Sequence, residues 1–153
     1  MTPEEIEELL PALSGYFEIT SPANEAYNCV AWCLNDTKNY WWPAPFKLPG
    51  VYWPPGIKKE ETVEAFIALF EDQSFIKCES RDFELDHDKI AIFGAPLGTP
   101  THAARWRQED RGWNSKLGEE NDILHHSLES IEGEVYGRVV QVMKRNRSPK
   151  LAT

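Results

Sequence analysis

What this chain of 153 residues lacks narrows its class before any motif is read. Cysteine is scarce. Cys29, Cys33 and Cys78 are an odd, sparse set that makes no disulfide framework, so a reducing, cytoplasmic setting is expected. Long apolar runs are missing, none approaching the ~18 residues of a membrane span. The opening Met1-Thr2-Pro3-Glu4-Glu5 has neither a basic nor an apolar leader segment, so no secretory signal is expected, although export as a signal-peptide-free effector is compatible with it. Positive charge is in the minority: 16 Lys plus Arg stand against 25 Asp plus Glu, net −9. A duplex nucleic-acid binder needs a basic face to release counterions, and a polybasic membrane anchor needs one to meet anionic lipid, so both partners are excluded. Gly-rich phosphate loops, CxxC and HExxH are also missing. Cys29 and Cys33, four apart, have no second ligand pair, so neither a cofactor nor a metal is expected.

What is present is globular: 41% apolar and 27% charged residues. A chain of this length buries roughly 68–70% of its unfolded surface and needs no staples. Thr2, Pro3 and Glu5 form a capping box that predicts a helix over 3–13, with Ile6, Leu9, Leu10 and Leu13 as its apolar stripe. A second, short helix is expected from Cys29 to Leu34. Residues 40–58 hold five prolines and three of the six tryptophans, which predicts an ordered loop packed by its own aromatics. Val63, Phe66, Ile67 and Phe70 give a helix over 62–72. Strands are expected at 75–78, 89–93, 102–108, 112–117 and 136–143, and a helix at 122–131. Helices first and antiparallel strands after make an α+β domain, placed at 1–145, with a polar basic tail at 146–153 that frays.

Cys29 is the sharpest chemical candidate. It opens a helix that Asn28 can cap, and free N–H groups there lower a thiol's pKa. His102 opens a later strand after Pro100-Thr101 and can supply a base. A third residue would orient the imidazole, and the next strand offers Asn114 and Ser115. They lie on opposite faces, with Lys116 sharing the face of Asn114, and the choice depends on register. Asn24 could join the Cys29 N–H in an oxyanion site, or simply make a turn after Pro22. His125 and His126 are expected to point apart, one inward and one outward. The tryptophans of the Pro-rich stretch could wall a substrate groove, although packing is the simpler role.

Several strings act together: Tyr27-Asn28-Cys29-Val30-Ala31-Trp32, Tyr52-Trp53-Pro54, Thr101-His102-Ala103-Ala104-Arg105, Trp113-Asn114-Ser115-Lys116-Leu117-Gly118, Asp122-Ile123-Leu124-His125 and Tyr136-Gly137. Over nearly the whole chain they resemble a bacterial family of unknown function. Its pattern in turn resembles papain-like cysteine peptidases of the NlpC/P60 and CHAP kind. The resemblance implies a papain-like fold, N-terminal helices on an antiparallel sheet, with Cys29 as nucleophile, His102 as base and Asn114 or Ser115 as the third member. Asn24, Asn28, Lys116 and His125 would support the site, and Trp32, Trp42, Trp53 and Trp113 would line the groove. The implied activity is that of a cysteine hydrolase, a peptidase, amidase or acyltransferase acting on a peptide, isopeptide or cell-wall amide. Ser115-Lys116-Leu117-Gly118 and His125 depart from the NlpC/P60 pattern. The competing expectation is a non-catalytic acidic binding module of the immunity or inhibitor type, or a degenerate papain-like scaffold.

Overall fold

The computed structural model describes residues 1–147. Helix α1 spans Pro3–Leu9, and the capping box is formed as expected: Thr2 Oγ1 accepts from the Glu5 N–H and the Glu5 carboxylate accepts from the Thr2 N–H. The helix stops before 13 because Pro11 disfavours helical backbone at the residue before it. Leu10 turns out to φ −128°, ψ 72°, and Pro11–Leu13 follow as a 3-10 turn. Ile6, Leu10 and Leu13 are buried all the same. Helix α2 is Cys29–Cys33 and helix α3 is Val63–Asp72, capped by Thr62.

Nine strands complete the α+β fold: β1 Phe17–Ser21, β2 Tyr40–Trp41, β3 Val51–Tyr52, β4 Ile76–Cys78, β5 His87–Gly94, β6 Pro100–Arg107, β7 Gly112–Lys116, β8 Asp122–His125 and β9 Arg138–Asn146. Seven of them form one antiparallel sheet in the order β1-β8-β7-β6-β5-β9-β4. The Pro-rich stretch contributes only the short parallel pair β2-β3, with Trp41 edge-on to Tyr52 at 4.7 Å. Three expectations are corrected. Residues 122–125 are strand rather than helix, because β1 and β7 hydrogen-bond to them from both sides; only 129–131 make a 3-10 turn. Strand β1 has no counterpart in the sequence reading. The basic tail does not fray at its first residue, Asn146, which pairs with His87 as the end of β9. The rest of the tail, 148–153, lies outside the described residues.

The sheet has two covered faces, and residue parity decides which is which. Ile90, Ile92, Ala103 and Met143 face α2 and α3, packing on Cys29, Val30, Phe66 and Phe70. Ala91, Phe93, Ala104 and Val142 face the other way, onto Ile6, Leu10 and Leu13. Burying each large apolar side chain contributes about 1.5–3 kcal/mol. Both faces therefore specify register strongly, since a one-residue slip would exchange them.

Candidate functional site

Cys29 stands where the sequence puts it, at the start of α2. The Asn28 Oδ1 accepts from the Ala31 N–H at 3.1 Å and from the Trp41 N–H at 3.1 Å, and its Nδ2 donates to the Trp41 carbonyl at 2.8 Å. One side chain thus caps the helix and clamps β2 beside it. Cys29 itself is only 7% exposed. Burial pushes its thiol up, against the pull of the Ala103, Val30 and Cys29 N–H groups and the Lys116 charge. Burial therefore favours the protonated thiol.

His102 lies across the sheet from Cys29. Opposite Phe93 in the β5-β6 register, it takes the face of Ala91 and Ala104, whereas Cys29 packs against Ala103 on the other side of the sheet. Its ring stacks on Tyr136 at 4.0 Å and is 2% exposed. Its Nε2 is buried with no hydrogen-bond partner among the described residues. Burial, with the nearby His125 adding to it, pushes its pKa down to about 3, so the imidazole is neutral.

The third-residue candidates divide as parity requires. Asn114 lies on the α2 face, accepting from the Trp32 Nε1–H at 2.7 Å and donating to Thr20 at 3.2 Å. Ser115 lies on the face of His102 but bonds His125 instead, at 2.8 Å. His125 Nδ1 is 2.9 Å from the Ser127 carbonyl. That carbonyl only accepts, so Nδ1 carries the proton and Ser115 donates to Nε2. His125 thereby braces β7 to β8; burial pushes it down to about 4. His126, next along, is exposed.

The supporting candidates are held by local contacts. Asn24 is a turn residue: its Oδ1 accepts from the Ala26 N–H at 2.8 Å, and its backbone carbonyl receives Lys116. Lys116 is fully buried, its ammonium donating to the Asn24 and Gly118 carbonyls at 2.6 and 2.7 Å beneath the Tyr27 ring. The four tryptophans do not share a groove. Trp32 is covered by the Arg105 guanidinium at 3.5 Å, Trp42 and Trp53 pack on Phe66, and Trp113 is buried on the opposite face against Trp106.

Sequence reasoning missed the most connected group on the α2 face, Asp122. It accepts from Thr20, from Ser21 at 2.5 Å and from Tyr27 at 3.4 Å, and it is the cross-strand partner of Lys116. Arg105 was missed as a structural group: it is buried, bonds the Trp32 carbonyl at 2.9 Å, and is pushed down to about 10, mainly by burial. A charge at an inward strand position is the signal for both, once register is known.

A groove of about 550 Å³ lies beside this cluster, lined by Asn24, Glu25, Lys38, Tyr40 and Glu119 among others. Burial pushes the Tyr40 phenol up, and the hydrogen bonds of Asn28 to Trp41 set the start of α2 beside its strand. Two of its wall residues are glutamates.

Fold and site together define a small α+β domain in which a cysteine-opened helix is packed onto an antiparallel sheet over a buried polar cluster. Residues 18–144 match the model of a domain of unknown function, DUF7689, and the chain belongs to that family. No curated protein and no solved structure matches it.

Proposed function

We propose that this chain is a non-catalytic binding protein, a degenerate papain-like scaffold that keeps the cysteine helix on its sheet but has lost the dyad. The observation that carries this reading is the parity of β6, with the His102 ring on one face of the sheet and Cys29 on the other. A nucleophile needs its base within hydrogen-bond reach, and a thiol that burial holds protonated needs it more. The partner class is a basic protein segment. Glu25 and Glu119 rim the groove against Lys38, and the Asn24 N–H, donating to the Glu119 carbonyl, holds the two glutamate-bearing segments together. Opposed charge of this kind speeds encounter and selects partners.

The cysteine hydrolase has one observation in its favour: backbone N–H groups of Ala103, Val30 and Cys29 and the Lys116 charge all favour a thiolate. Alkylation decides between the two. Iodoacetamide labelling of Cys29, resolved from Cys33 and Cys78 by peptide mapping, is measured against pH in wild type and in His102→Phe, which preserves the stack on Tyr136. The binding reading expects slow labelling that rises only at alkaline pH, the same in both proteins. Rapid labelling below pH 8 that disappears in the variant would restore the hydrolase.

A further inference from the structure

We propose that a second cavity, beside the uncovered half of β9, docks an extended peptide that brings an apolar side chain and one or two lysines or arginines. The inference rests on the binding reading for the chemistry of the partner but names a different place from the Cys29 groove. Strand β9 runs Arg138–Asn146, yet β4 covers only Val142, Met143 and Lys144. Among the described residues, 138–141 therefore present a strand edge with no strand beside it. The Val139 N–H on this stretch is taken by the Glu132 carboxylate at 3.0 Å, where a neighbouring strand would otherwise accept it. Phe93 pairs with Val139 and Ile92 with Gln141, so Val140 stands out of register as a bulge.

A cavity of about 1000 Å³ opens at this place, between the start of β9, the turn after β5 and the turn 132–137. That is the upper end of the range for ligand sites. Its wall is fixed. Gly137 has φ +73°, and a Cβ there would lie 2.1 Å from the Gly94 carbonyl oxygen, so the turn presses on the end of β5 with no room for a side chain. Gly133 and Gly137 exchange backbone hydrogen bonds at 3.0 and 2.8 Å, which closes the turn.

The lining matches one chemistry. Val135 and Val140 line the cavity and are 41% and 44% exposed. Two exposed valines in one cavity wall, with Pro96 beside them, make a continuous apolar surface rather than scattered hydrophobics. Glu132 and Glu134 add negative charge on a chain of net −9, which favours a cationic side chain in the occupant. Arg138 also lines the cavity and disfavours a polybasic run, so the match is to an apolar peptide with few cations. An added strand takes the Val139 N–H from Glu132 and bonds along β9, which frees that carboxylate for the peptide's cation, while Val135, Val140 and Glu134 meet alternate side chains.

The test titrates the isotopically labelled full chain with a blocked pentapeptide of alternating valine and lysine, and separately with its valine–glutamate counterpart, followed by backbone amide shifts. The expected result is saturable shifts at 94–97 and 132–141, with the lysine peptide preferred at least about fivefold. Val140→Lys, at an exposed position, is expected to weaken binding about tenfold, and Glu134→Lys about fivefold. Shifts at Glu25 and Glu119 instead would overturn this docking site while leaving the acidic groove as the binding surface. Equal binding of both peptides, no binding of either, or shifts at 132–141 that grow with protein concentration alone, which would mean a second copy, would each overturn it as well. None of these outcomes bears on Cys29, which the alkylation experiment judges separately.

Discussion

Lowering the pH from 7 to 4.5 is expected to remove about 5 kcal/mol of folding free energy, at a limiting slope of about 2.7 kcal/mol per pH unit. Two buried imidazoles carry the effect, His102 held at about 3 and His125 at about 4, in both cases chiefly by burial. Unfolded, each titrates near 6.5. The folded values are depressed, so between them and 6.5 the unfolded chain binds more protons than the folded one. Stability is then complete above about pH 6.5 and declines as the pH falls below it. Each histidine contributes about 1.4 kcal/mol per pH unit, and two units below 6.5 give about 2.7 kcal/mol from each. Set against a typical total of about 5–15 kcal/mol, this places acid unfolding near pH 4–5. Urea unfolding at a series of pH values, followed by tryptophan fluorescence, measures the slope. In His102→Phe the unpartnered Nε2 is gone and the ring still covers Tyr136, so the slope should halve with little loss at pH 7. A flat profile between pH 6 and 5, or an unchanged slope in the variant, would refute the assignment.

The same histidine marks how far the sequence could be read. That a strand opens at about His102 was legible from the turn residues before it and the alternation after it, and that Cys29 opens a helix was legible from its Asn28 cap. The face that His102 takes was not, because face depends on which residue of β5 stands opposite, and nothing local sets that pairing. A shift of one residue would have put the imidazole on the cysteine's side. The opposition of Asn114 and Lys116 to Ser115 needed only the two-residue period within β7, and it holds. Strand β8 was read as helix because Ile123, Leu124 and Leu128 also fit helical spacing. Its strand character comes from neighbours distant in sequence, β1 and β7. One consequence survived the wrong element: His125 is buried and His126 exposed, since adjacent residues diverge in a strand as they do on a helix. The buried state of Lys116 was out of reach for the same reason as β1: both depend on the chain returning to the sheet's far edge.

Asp122→Ala is expected to cost about 2–4 kcal/mol, since three hydroxyls lose a charged acceptor at about 1–3 kcal/mol for each buried one. Thr20, Ser21 and Tyr27 would each lose their acceptor, and the Lys116 ammonium would keep its two carbonyls but lose the carboxylate across the strand. Lys116→Met removes the cation instead, leaving the Asn24 and Gly118 carbonyls without its donors, at about 2–3 kcal/mol. The two charges act on one another, so Lys116→Met combined with Asp122→Asn should cost at least about 1 kcal/mol less than the sum of the single changes. Urea denaturation of the four proteins gives the coupling directly. An Asp122→Ala cost under about 1 kcal/mol, or additivity within about 0.5 kcal/mol, would mean that the cluster is a set of independent hydrogen bonds. The cluster also bears on binding. Ser21, the Asn24 carbonyl and Tyr27 bracket the segment that holds Glu25 and leads into Cys29, and all three are tied to β7 or β8 through Lys116 and Asp122. A variant with this knot loosened should therefore lose the wall of the acidic groove before the sheet unfolds, so affinity for a basic partner should fall in urea well below the global midpoint.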